Sequence, residues 1–303
     1  QMNVHESEKI AGVLENLGYK PSESKAAADL LLFNTCCVRE HAEARLSGHI
    51  GALKDHKTGK AYGVLAVCGC MMQQKGAAHK LMRRFPFVDM VFGTNSIHKL
   101  ESLLEDVLLR GQRAYCVEED ISIVEDIPVR RDGGPCAFVN IIYGCNNFCT
   151  YCIVPYVRGR ERSRRADDII DEIKRLCDEG VSEVTLLGQN VNSYGNDLVE
   201  SISFPRLLRR IDAETNIRRI RFMTSHPKDM SDELIACYGD LPSLCEHIHL
   251  PVQSGSDNVL RRMNRRYTRA HYLGLIDKLR ARVPDIAITT DIIVGFPGET
   301  END

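Results

Sequence analysis

Three cysteines stand close together near the middle of the chain, in the segment Gly144-Cys145-Asn-Asn-Phe-Cys149-Thr-Tyr-Cys152. Cysteine thiolates that share one short, turning loop can hold an iron–sulfur cluster. Three thiolate ligands leave one iron of a four-iron cluster open, and a cofactor or substrate can bind there. The alternative interpretation is a zinc knuckle or a group of buried thiols. Zinc sites usually show paired C-x2-C units with a fourth Cys or His in register, and the adjoining sequence has none, which favours the cluster.

A second pair of cysteines follows two predicted strands in the first third of the chain. Cys36 comes after the strand predicted at residues 30–33, and Cys70 comes after the strand predicted at residues 62–67. Open α/β sheets bind ligands at the carboxyl ends of their strands, so both thiols are placed where a ligand is expected. Each has a neighbouring thiol, Cys37 or Cys68, that competes with it for such a role.

Small and polar residues follow the predicted strands of the second half of the chain. Small residues allow the backbone to approach a cofactor closely, while Gln and Ser side chains offer hydrogen bonds. Each residue alone is more typical of an ordinary turn, but their shared placement at strand ends makes them candidates for cofactor contacts. The candidates are Gly188, Gln189, Ser225, Gln253, Ser254 and Gly295.

The elements that must position these residues fall into two α/β groups. Residues 1–116 alternate helical and strand patterns and predict a small α/β domain. Residues 117–134 are acidic and rich in turn residues, which predicts a linker. In residues 135–303, five predicted strands alternate with helices and show no hairpin signal. This pattern predicts a parallel sheet or a partial (β/α) barrel of the TIM type.

The chain has 303 residues, of which 43% are hydrophobic and 12 are Cys, with a formal net charge of −3. This composition excludes collagens, coiled coils and disordered tails, and the net charge indicates no polyanionic partner by itself. No apolar run reaches the ~18 residues that a membrane span needs, and no signal peptide opens the chain. We therefore expect a cytoplasmic protein with no membrane contact, in which reduced thiols serve metal binding or catalysis.

The C-x3-C-x2-C segment after the first strand of the second domain resembles the loop of the radical S-adenosylmethionine (radical SAM) superfamily. The resemblance implies that Cys145, Cys149 and Cys152 ligate a 4Fe–4S cluster whose open iron binds SAM. It also implies that one electron cleaves SAM to a 5′-deoxyadenosyl radical, which abstracts hydrogen from an unactivated carbon. The cofactors supply this chemistry, while the protein binds, orients and shields them.

Longer segments resemble the methylthiotransferases within that superfamily, especially the MiaB type, which acts on tRNA. The resemblance covers nearly the whole chain. The segments are residues 1–4 (QMNV), 34–40 (NTCCVRE), 68–73 (CGCMMQ), 143–164, 187–194 (LGQNVNSY), 224–227 (TSHP), 250–256 (LPVQSGS) and 291–300 (DIIVGFPGET).

The resemblance implies a second, auxiliary 4Fe–4S cluster in the first domain, with Cys36 and Cys70 among its ligands. In the family these are the Cys directly after Asn-Thr and the Cys directly before Met, which favours them over Cys37 and Cys68. The third ligand stands in a Gly-Cys-Gln-Met-Asn pattern, so we expect it just before Gln1. We also expect a basic β-barrel RNA-binding domain after the radical SAM domain, and we interpret the chain as a fragment.

The resemblance implies an enzyme that inserts a methylthio group at C2 of N6-isopentenyladenosine, next to the anticodon of tRNA. Arg158 and Arg160 follow the cysteine loop and are candidates for contacts with the anticodon loop. Guanidinium groups suit phosphates and stack on bases, which supports this interpretation. An electron donor such as flavodoxin or ferredoxin is a second expected partner.

Two alternatives remain open at this point. A related methylthiotransferase acts on threonylcarbamoyl-adenosine or on a ribosomal-protein aspartate, although the QMNV segment favours N6-isopentenyladenosine. The non-enzymatic alternative is an Fe–S or zinc-binding RNA adaptor.

Overall fold

The structure is a computed structural model that describes residues 1–37, 40–54, 63–117, 122–200 and 202–303. These residues form two compact units. The first unit comprises residues 1–132 together with residues 156–158, and the second comprises residues 133–155 and 159–303. Three predicted features lie partly outside the described residues: residues 118–121 of the linker, residues 38–39 of the segment 34–40, and the first residue of the strand predicted at 62–67.

The first unit is built on a four-stranded parallel sheet in the order β1-β2-β3-β4. The strands are β1 (Leu30–Thr35), β2 (Val64–Gly69), β3 (Met90–Phe92) and β4 (Ala114–Cys116). The helices are α1 (Met2–Asn16), α2 (Glu40–Gly51), α3 (Ala77–Arg84) and α4 (Leu100–Leu108), and a 3₁₀ turn (Thr94–Lys99) precedes α4. Because the strands run in the same direction, their carboxyl ends meet at one edge of the sheet.

The second strand, β2, is buried along its whole length, as expected for a parallel strand with both faces covered. Alternate residues of β2 pack into different hydrophobic clusters. Cys68 lies in one cluster with Leu100, while Val67 lies in the other with Ile50. Cys68 is therefore part of the hydrophobic core of this unit.

The end of the predicted linker packs against α1. A Cβ at Gly12 would lie 2.4 Å from the carbonyl oxygen of Pro128, so the close approach requires a glycine on the helix. The amide of Arg130 donates a hydrogen bond to the carbonyl oxygen of Glu8 at 3.0 Å, and its side chain pairs with Glu15 at 3.1 Å. The described residues 122–132 thus form no helix or strand but belong to the packed first unit.

In the second unit, β5, β8 and β9 form a parallel sheet, and β10 pairs with β11 in parallel. An isolated parallel bridge joins Ile220 of β9 to Leu244, just before β10. The strands are β5 (Cys136–Asn140), β6 (Ile142–Tyr143), β7 (Arg162–Ser163), β8 (Glu183–Leu187), β9 (Arg219–Phe222), β10 (His247–His249) and β11 (Ala287–Thr289). The helices are α5 (Val154–Val157, whose last two residues belong to the first unit), α6 (Ala166–Asp178), α7 (Phe204–Glu214), α8 (Asp232–Asp240), α9 (Asp257–Arg262) and α10 (Arg269–Arg282). The predicted α/β architecture with parallel strands is confirmed.

One strand pair departs from the parallel pattern. Strands β6 and β7 are antiparallel, with Ile142 opposite Ser163 and Tyr143 opposite Arg162. The sequence carries no hairpin signal here, because each strand has only two residues and a long loop separates them. That loop carries the three clustered cysteines.

Candidate metal centre

The cysteine loop of the second unit begins directly after β6. Gly144 has a φ of 72°, and a Cβ there would lie 2.0 Å from the carbonyl oxygen of Arg160, so the first turn of the loop requires glycine. The amide of Cys145 donates a hydrogen bond to the carbonyl oxygen of Gly159 at 3.1 Å. These contacts hold the two ends of the loop together.

The turn after α9 fixes the middle of the loop. The side-chain amide of Asn264 donates hydrogen bonds to the carbonyl oxygens of Asn147 at 3.2 Å and Phe148 at 3.0 Å. The amide of Thr150 donates to the carbonyl oxygen of Met263 at 3.1 Å. Phe148 and Asn264 both have positive φ values, of 48° and 57°. Strained conformations of this kind persist where the surroundings determine them, often at functional sites.

The thiols of this loop are withdrawn from water. Cys145 and Cys149 are 9% and 8% exposed, and Cys152 is half-buried. Burial, with smaller contributions from the nearby Glu161, Cys149 and Cys152, raises the pKa of Cys145 to about 11. The sulfur of Cys145 accepts hydrogen bonds from the backbone and side-chain N–H groups of Asn147, both at 3.5 Å. Metal binding requires the thiolate form, so a metal ion or cluster would displace the proton that burial retains.

A buried arginine, Arg265, contacts the second sulfur of the loop. Its Nη1 donates a hydrogen bond to Cys149 Sγ at 3.5 Å, and its Nη2 donates to the carbonyl oxygen of Pro251 at 3.0 Å. Its Nε donates to the hydroxyl of Tyr267 at 2.9 Å. The guanidinium plane is therefore held in one orientation, with a positive charge beside the sulfur.

His226 lies in the same region as a neutral imidazole. Its pKa is lowered to about 2, first because it is buried and then because Arg265 and Lys228 are positively charged. Its Nδ1 accepts the backbone N–H of Lys228 at 3.1 Å, and its ring packs edge-on against Tyr267. His226 therefore adds no positive charge to that of Arg265 at neutral pH.

Three predicted cofactor contacts follow β8 and β9. A Cβ at Gly188 would lie 2.3 Å from the side chain of Ile142, so this position requires glycine, and Gln189 comes directly after it. Thr224, with a φ of 68°, donates a hydrogen bond from its hydroxyl to the carbonyl oxygen of Gly188 at 2.7 Å. The hydroxyl of Ser225 is buried and has no hydrogen-bond partner among the described residues.

The other three predicted contacts follow β10 and β11. Gln253 has a φ of 68°, and its amide donates to the carbonyl oxygen of Asp291 at 2.9 Å. Ser254 is 3% exposed, and its hydroxyl accepts the amide of Ser256 at 3.1 Å. Gly295 is exposed, with a φ of 71°. The structure thus places the six candidates after the carboxyl ends of four strands of one unit.

The first unit holds the second predicted cysteine site. Cys36 is exposed directly after β1, whereas Cys70 is buried directly after β2. The half-buried Cys37, and not Cys36, forms a hydrogen bond with Cys70. This hydrogen bond lowers the pKa of Cys37 to about 7 and raises that of Cys70. The structure brings Cys37 and Cys70 together and leaves Cys36 on the surface beside them, so the ligand role of Cys36 stays a prediction.

Arg158 is part of the surroundings of Cys70 in the first unit. It is 6% exposed, and its Nη1 donates a hydrogen bond to Glu6 Oε1 at 2.6 Å. Its Nη2 donates to Asn3 Oδ1 at 3.1 Å, and the thiol of Cys70 donates to the same oxygen at 3.9 Å. A buried ion pair therefore adjoins the thiol.

Arg160 has a different environment from Arg158. It is exposed, and its guanidinium carbon lies 4.6 Å from the ring centroid of Phe148 on the cysteine loop. The guanidinium of Arg160 can reach an anionic partner in solution, while that of Arg158 is held by Glu6. The substrate contacts predicted for both residues stay predictions.

Sequence reasoning missed Arg265 and Asn264, two residues of the turn after α9 that hold the cysteine loop. Four arginines occur within residues 261–266, and the other three are exposed. Residue type alone does not distinguish Arg265 from its neighbour Arg266. Only the fold shows which of them is buried against a cysteine.

Two sequence families match the chain. The one described as the radical SAM superfamily matches residues 139–303, which contain the cysteine loop and all six strand-end candidates. The chain belongs to the radical SAM superfamily. The family described as uncharacterized protein family UPF0004 matches residues 1–93, within the first unit.

Relatives of the same superfamily are similar over the whole chain. The tRNA-2-methylthio-N(6)-dimethylallyladenosine synthase of Caldicellulosiruptor saccharolyticus is 60% identical over 100% of the chain and 64% of its own length. The synthase of the same name from Clostridium tetani is 54% identical over 100% of the chain and 67% of its own length. These relatives confirm the predicted likeness to the methylthiotransferases. The chain spans 64% of the length of the first of them.

Solved radical SAM enzymes share the fold at low sequence identity. The methyltransferase TsrM from Kitasatospora setae, solved with cobalamin and a 4Fe–4S cluster, matches with a TM-score of 0.65 and 14% identity. The match covers 97% of this chain and 67% of TsrM. The cobalamin-dependent enzyme OxsB matches with a TM-score of 0.57 and 12% identity, over 95% of this chain and 43% of OxsB. The predicted fold class, a small α/β domain followed by a radical SAM domain, is confirmed.

The residues of the second unit fit the cofactors of the superfamily, a 4Fe–4S cluster and SAM. Two buried sulfurs accept N–H hydrogen bonds, as cluster sulfurs do, and Arg265 brings a positive charge toward an anionic cluster. The buried, unpartnered hydroxyl of Ser225 is suited to a ligand at the strand ends. No three His, Cys, Asp or Glu side chains converge on a single ion among the described residues. A cluster instead needs each thiolate to reach a different iron.

Within the part of the chain that the structure describes, no helix has the length and apolar character for a membrane crossing.

Proposed function

We propose that the chain is the cofactor-binding part of a tRNA methylthiotransferase that modifies C2 of N6-isopentenyladenosine next to the anticodon. The buried cysteine loop carries this proposal, because its three thiols and Arg265 form a site for an anionic cluster. The named relatives, at 60% and 54% identity, support the same substrate. When bound, the cluster and SAM supply the radical chemistry that removes hydrogen from an unactivated carbon.

The protein's own residues bind and orient the cofactors. Cys145, Cys149 and Cys152 hold the cluster, and Asn147 and Arg265 orient two of their sulfurs by hydrogen bonds. The backbone and side-chain N–H groups of Asn147 both face the sulfur of Cys145, so this thiolate has little freedom to move. Burial of these thiols keeps water away from the reacting atoms, which protects a radical from side reactions.

The strand ends of the same unit form the SAM site in this proposal. Close backbone approach is possible at Gly188 and Gly295, and side-chain hydrogen bonds come from Gln189, Ser225, Gln253 and Ser254. Thr224 and Gln253 have positive φ values of 68°, which the surrounding contacts maintain. Backbone strain of this kind is common in ligand clamps and supports a binding role for these turns.

The auxiliary cluster belongs to the first unit, with Cys70 and Cys36 as ligands. The described thiols fit it in part: Cys70 is buried beside Cys37 and the Arg158 pair, while Cys36 is exposed one residue from Cys37. The domain limits of 1–116 and 135–303, with a linker between them, belong to the same proposal.

The tRNA anticodon loop is the proposed substrate partner. The exposed Arg160 stacks over Phe148 on the cysteine loop and can contact a phosphate or a base. The target adenine leaves its stack to reach the radical site, as bases do in enzymes that modify them. A flavodoxin or ferredoxin supplies electrons, and the cytoplasm is the proposed location.

The test uses the anaerobically reconstituted full-length protein. It is incubated with SAM, reductant and tRNA lacking the modification, and the nucleosides are then analysed by mass spectrometry. We expect 2-methylthio-N6-isopentenyladenosine. A methylthio group on threonylcarbamoyl-adenosine or on a ribosomal-protein aspartate instead would contradict the proposed substrate and support the related methylthiotransferase activities. Cluster and tRNA binding without any SAM cleavage would support the adaptor and contradict the enzyme.

A matched pair of cysteine variants tests whether methylthiolation depends on the cysteine loop. Cys152→Ala removes one proposed cluster ligand, while Cys136→Ala removes an exposed thiol at the amino end of β5. We expect the first to lose methylthiolation and the second to keep it. Equal activity in both variants would contradict the assignment of the site.

A further inference from the structure

Arg265 carries a buried positive charge that no carboxylate balances among the described residues. The side chain is 7% exposed, and no carboxylate of the described residues lies within ion-pair distance of it. The groups that act on its charge are the hydroxyls of Tyr267 and Tyr151 and the thiol of Cys149. Burying an unpaired charge is costly, so such a group is kept where an anion compensates it.

The contacts of Arg265 direct that charge to one sulfur. Tyr267 and the carbonyl oxygen of Pro251 occupy Nε and Nη2, at 2.9 Å and 3.0 Å. The ring of Tyr267 also lies 5.1 Å from the guanidinium carbon. Nη1 remains directed at Cys149 Sγ, at 3.5 Å. The hydroxyl of Tyr267 is itself fixed, since it donates to the carbonyl oxygen of Val252 at 2.7 Å.

The chemistry of iron–sulfur clusters gives this contact a consequence. Positive charge and hydrogen bonds to sulfur favour the reduced, more negative form of a cluster and raise its reduction potential. A planar guanidinium held on three sides offers both at a fixed geometry. Lysine keeps the charge but lacks the planar fork, and glutamine keeps a donor but lacks the charge.

We propose that Arg265 is a positioning residue of the cluster: it orients the sulfur of Cys149 and raises the reduction potential of the cluster held by the three cysteines. This inference rests on the proposed function, because it requires a cluster at Cys145, Cys149 and Cys152. The inference does not depend on SAM contacts at the strand ends, so the readout is taken without SAM.

The test compares full-length wild type with Arg265→Gln, Arg265→Lys and Arg266→Gln. Arg266 is the adjacent arginine and is exposed, so Arg266→Gln removes one positive charge from a side chain that solvent surrounds. The cluster is reconstituted, iron and sulfide are counted, and the reduction potential is measured by a titration followed by electron paramagnetic resonance. We expect the most negative potential for Arg265→Gln, an intermediate value for Arg265→Lys and an unchanged value for Arg266→Gln.

Two results would overturn the inference. One is a fully loaded Arg265→Gln protein whose potential equals that of wild type. The other, if Arg265→Gln fails to load iron, is an Arg265→Lys protein with the wild-type potential. A wild-type protein that loads only iron bound by the first unit would refute the proposed function itself, and the iron count of wild type reveals that case before any variant is compared.

Discussion

Both units place a buried arginine beside a cysteine, and the two arginines have different partners. In the first unit, Arg158 adjoins Cys70 and is paired with Glu6 at 2.6 Å. In the second unit, Arg265 donates to Cys149, and its other partners are neutral. Glu6 neutralises the charge of Arg158, whereas the described partners of Arg265 leave its charge without a balancing carboxylate. Removing each arginine should therefore have different effects, on folding in one unit and on the bound group in the other.

The cysteine thiols of the two units also differ, in the direction of their pKa shifts. Cys37 has a pKa lowered to about 7, chiefly through its hydrogen bond with Cys70. Cys145 has a pKa raised to about 11, chiefly through burial. The first site thus already holds one thiol close to its ionised form. In the second site, Cys145 keeps its proton at neutral pH until a metal replaces it.

The largest effect is expected from Cys149→Ala, which removes the sulfur that Arg265 faces. The bound iron should fall by the content of one cluster, because two remaining thiolates do not hold a four-iron cluster of this type. Iron and sulfide analysis of the reconstituted protein measures the loss. Cys136→Ala is the control, since this thiol is exposed at the start of β5. Unchanged iron in Cys149→Ala would show that the cluster lies elsewhere.

Arg158→Met should destabilise the first unit by about 3–5 kcal/mol, because it leaves Glu6 buried without its cation. The Glu6 carboxylate already has one buried oxygen without a partner among the described residues, which leaves little room for compensation. Hydrogen exchange of α1, measured in the full-length protein, reports the local stability. Arg160→Met is the exposed control and should change the stability by less than about 0.5 kcal/mol. Equal exchange rates in the two variants would mean that the ion pair is not formed.

Gly144→Ala should distort the cysteine loop, whereas Gly180→Ala should cost only backbone strain. Both glycines have positive φ, at 72° and 92°, where an L-residue costs about 1–2 kcal/mol. A Cβ meets the carbonyl oxygen of Arg160 at position 144 but nothing within 4 Å at position 180. Overpacking adds about 1–3 kcal/mol at the first position. Chemical denaturation and the iron content of each variant distinguish the two cases, and equal iron content would contradict the role of Gly144.

The smallest effect concerns His226, the neutral imidazole near Arg265. In the unfolded chain it takes up a proton near its ordinary pKa of 6.5, whereas in the folded chain the pKa is about 2. The unfolded state therefore binds more protons between these values, and stability falls as the pH falls below 6.5, by about 1.4 kcal/mol per pH unit. His226→Gln should remove this contribution. Denaturation of both proteins at pH 7 and at about pH 5 tests it, and the same pH dependence in both would show that the imidazole is not buried as a neutral group.

Strong periodicity and a compact motif made much of the fold predictable. The strand Glu183–Leu187 and the helix Arg269–Arg282 are predictable from local sequence, since both carry clear apolar patterns between turn residues. The three-residue strands Met90–Phe92 and Ala114–Cys116 were not expected. Such short strands show no periodicity of their own and form because they pair with β2 and with each other.

The candidate site was predictable in its residues and less so in its contacts. The spacing of the cysteine loop and the strand-end positions follow from local sequence. The choice between Cys36 and Cys37 beside Cys70 depends on how the end of β1 turns after Thr35, which no sequence pattern determines. The role of Arg265 depends on the packing of the turn after α9 against the loop, a contact between residues more than a hundred positions apart.

The most direct test of the central claim is SAM cleavage in the reduced, reconstituted full-length protein. The formation of 5′-deoxyadenosine is measured by chromatography for wild type, Cys145→Ala and Cys136→Ala. We predict formation in wild type and in Cys136→Ala, and none in Cys145→Ala. Full cleavage of SAM by Cys145→Ala, with its cluster retained, would contradict the assignment of the buried cysteine loop as the radical SAM centre.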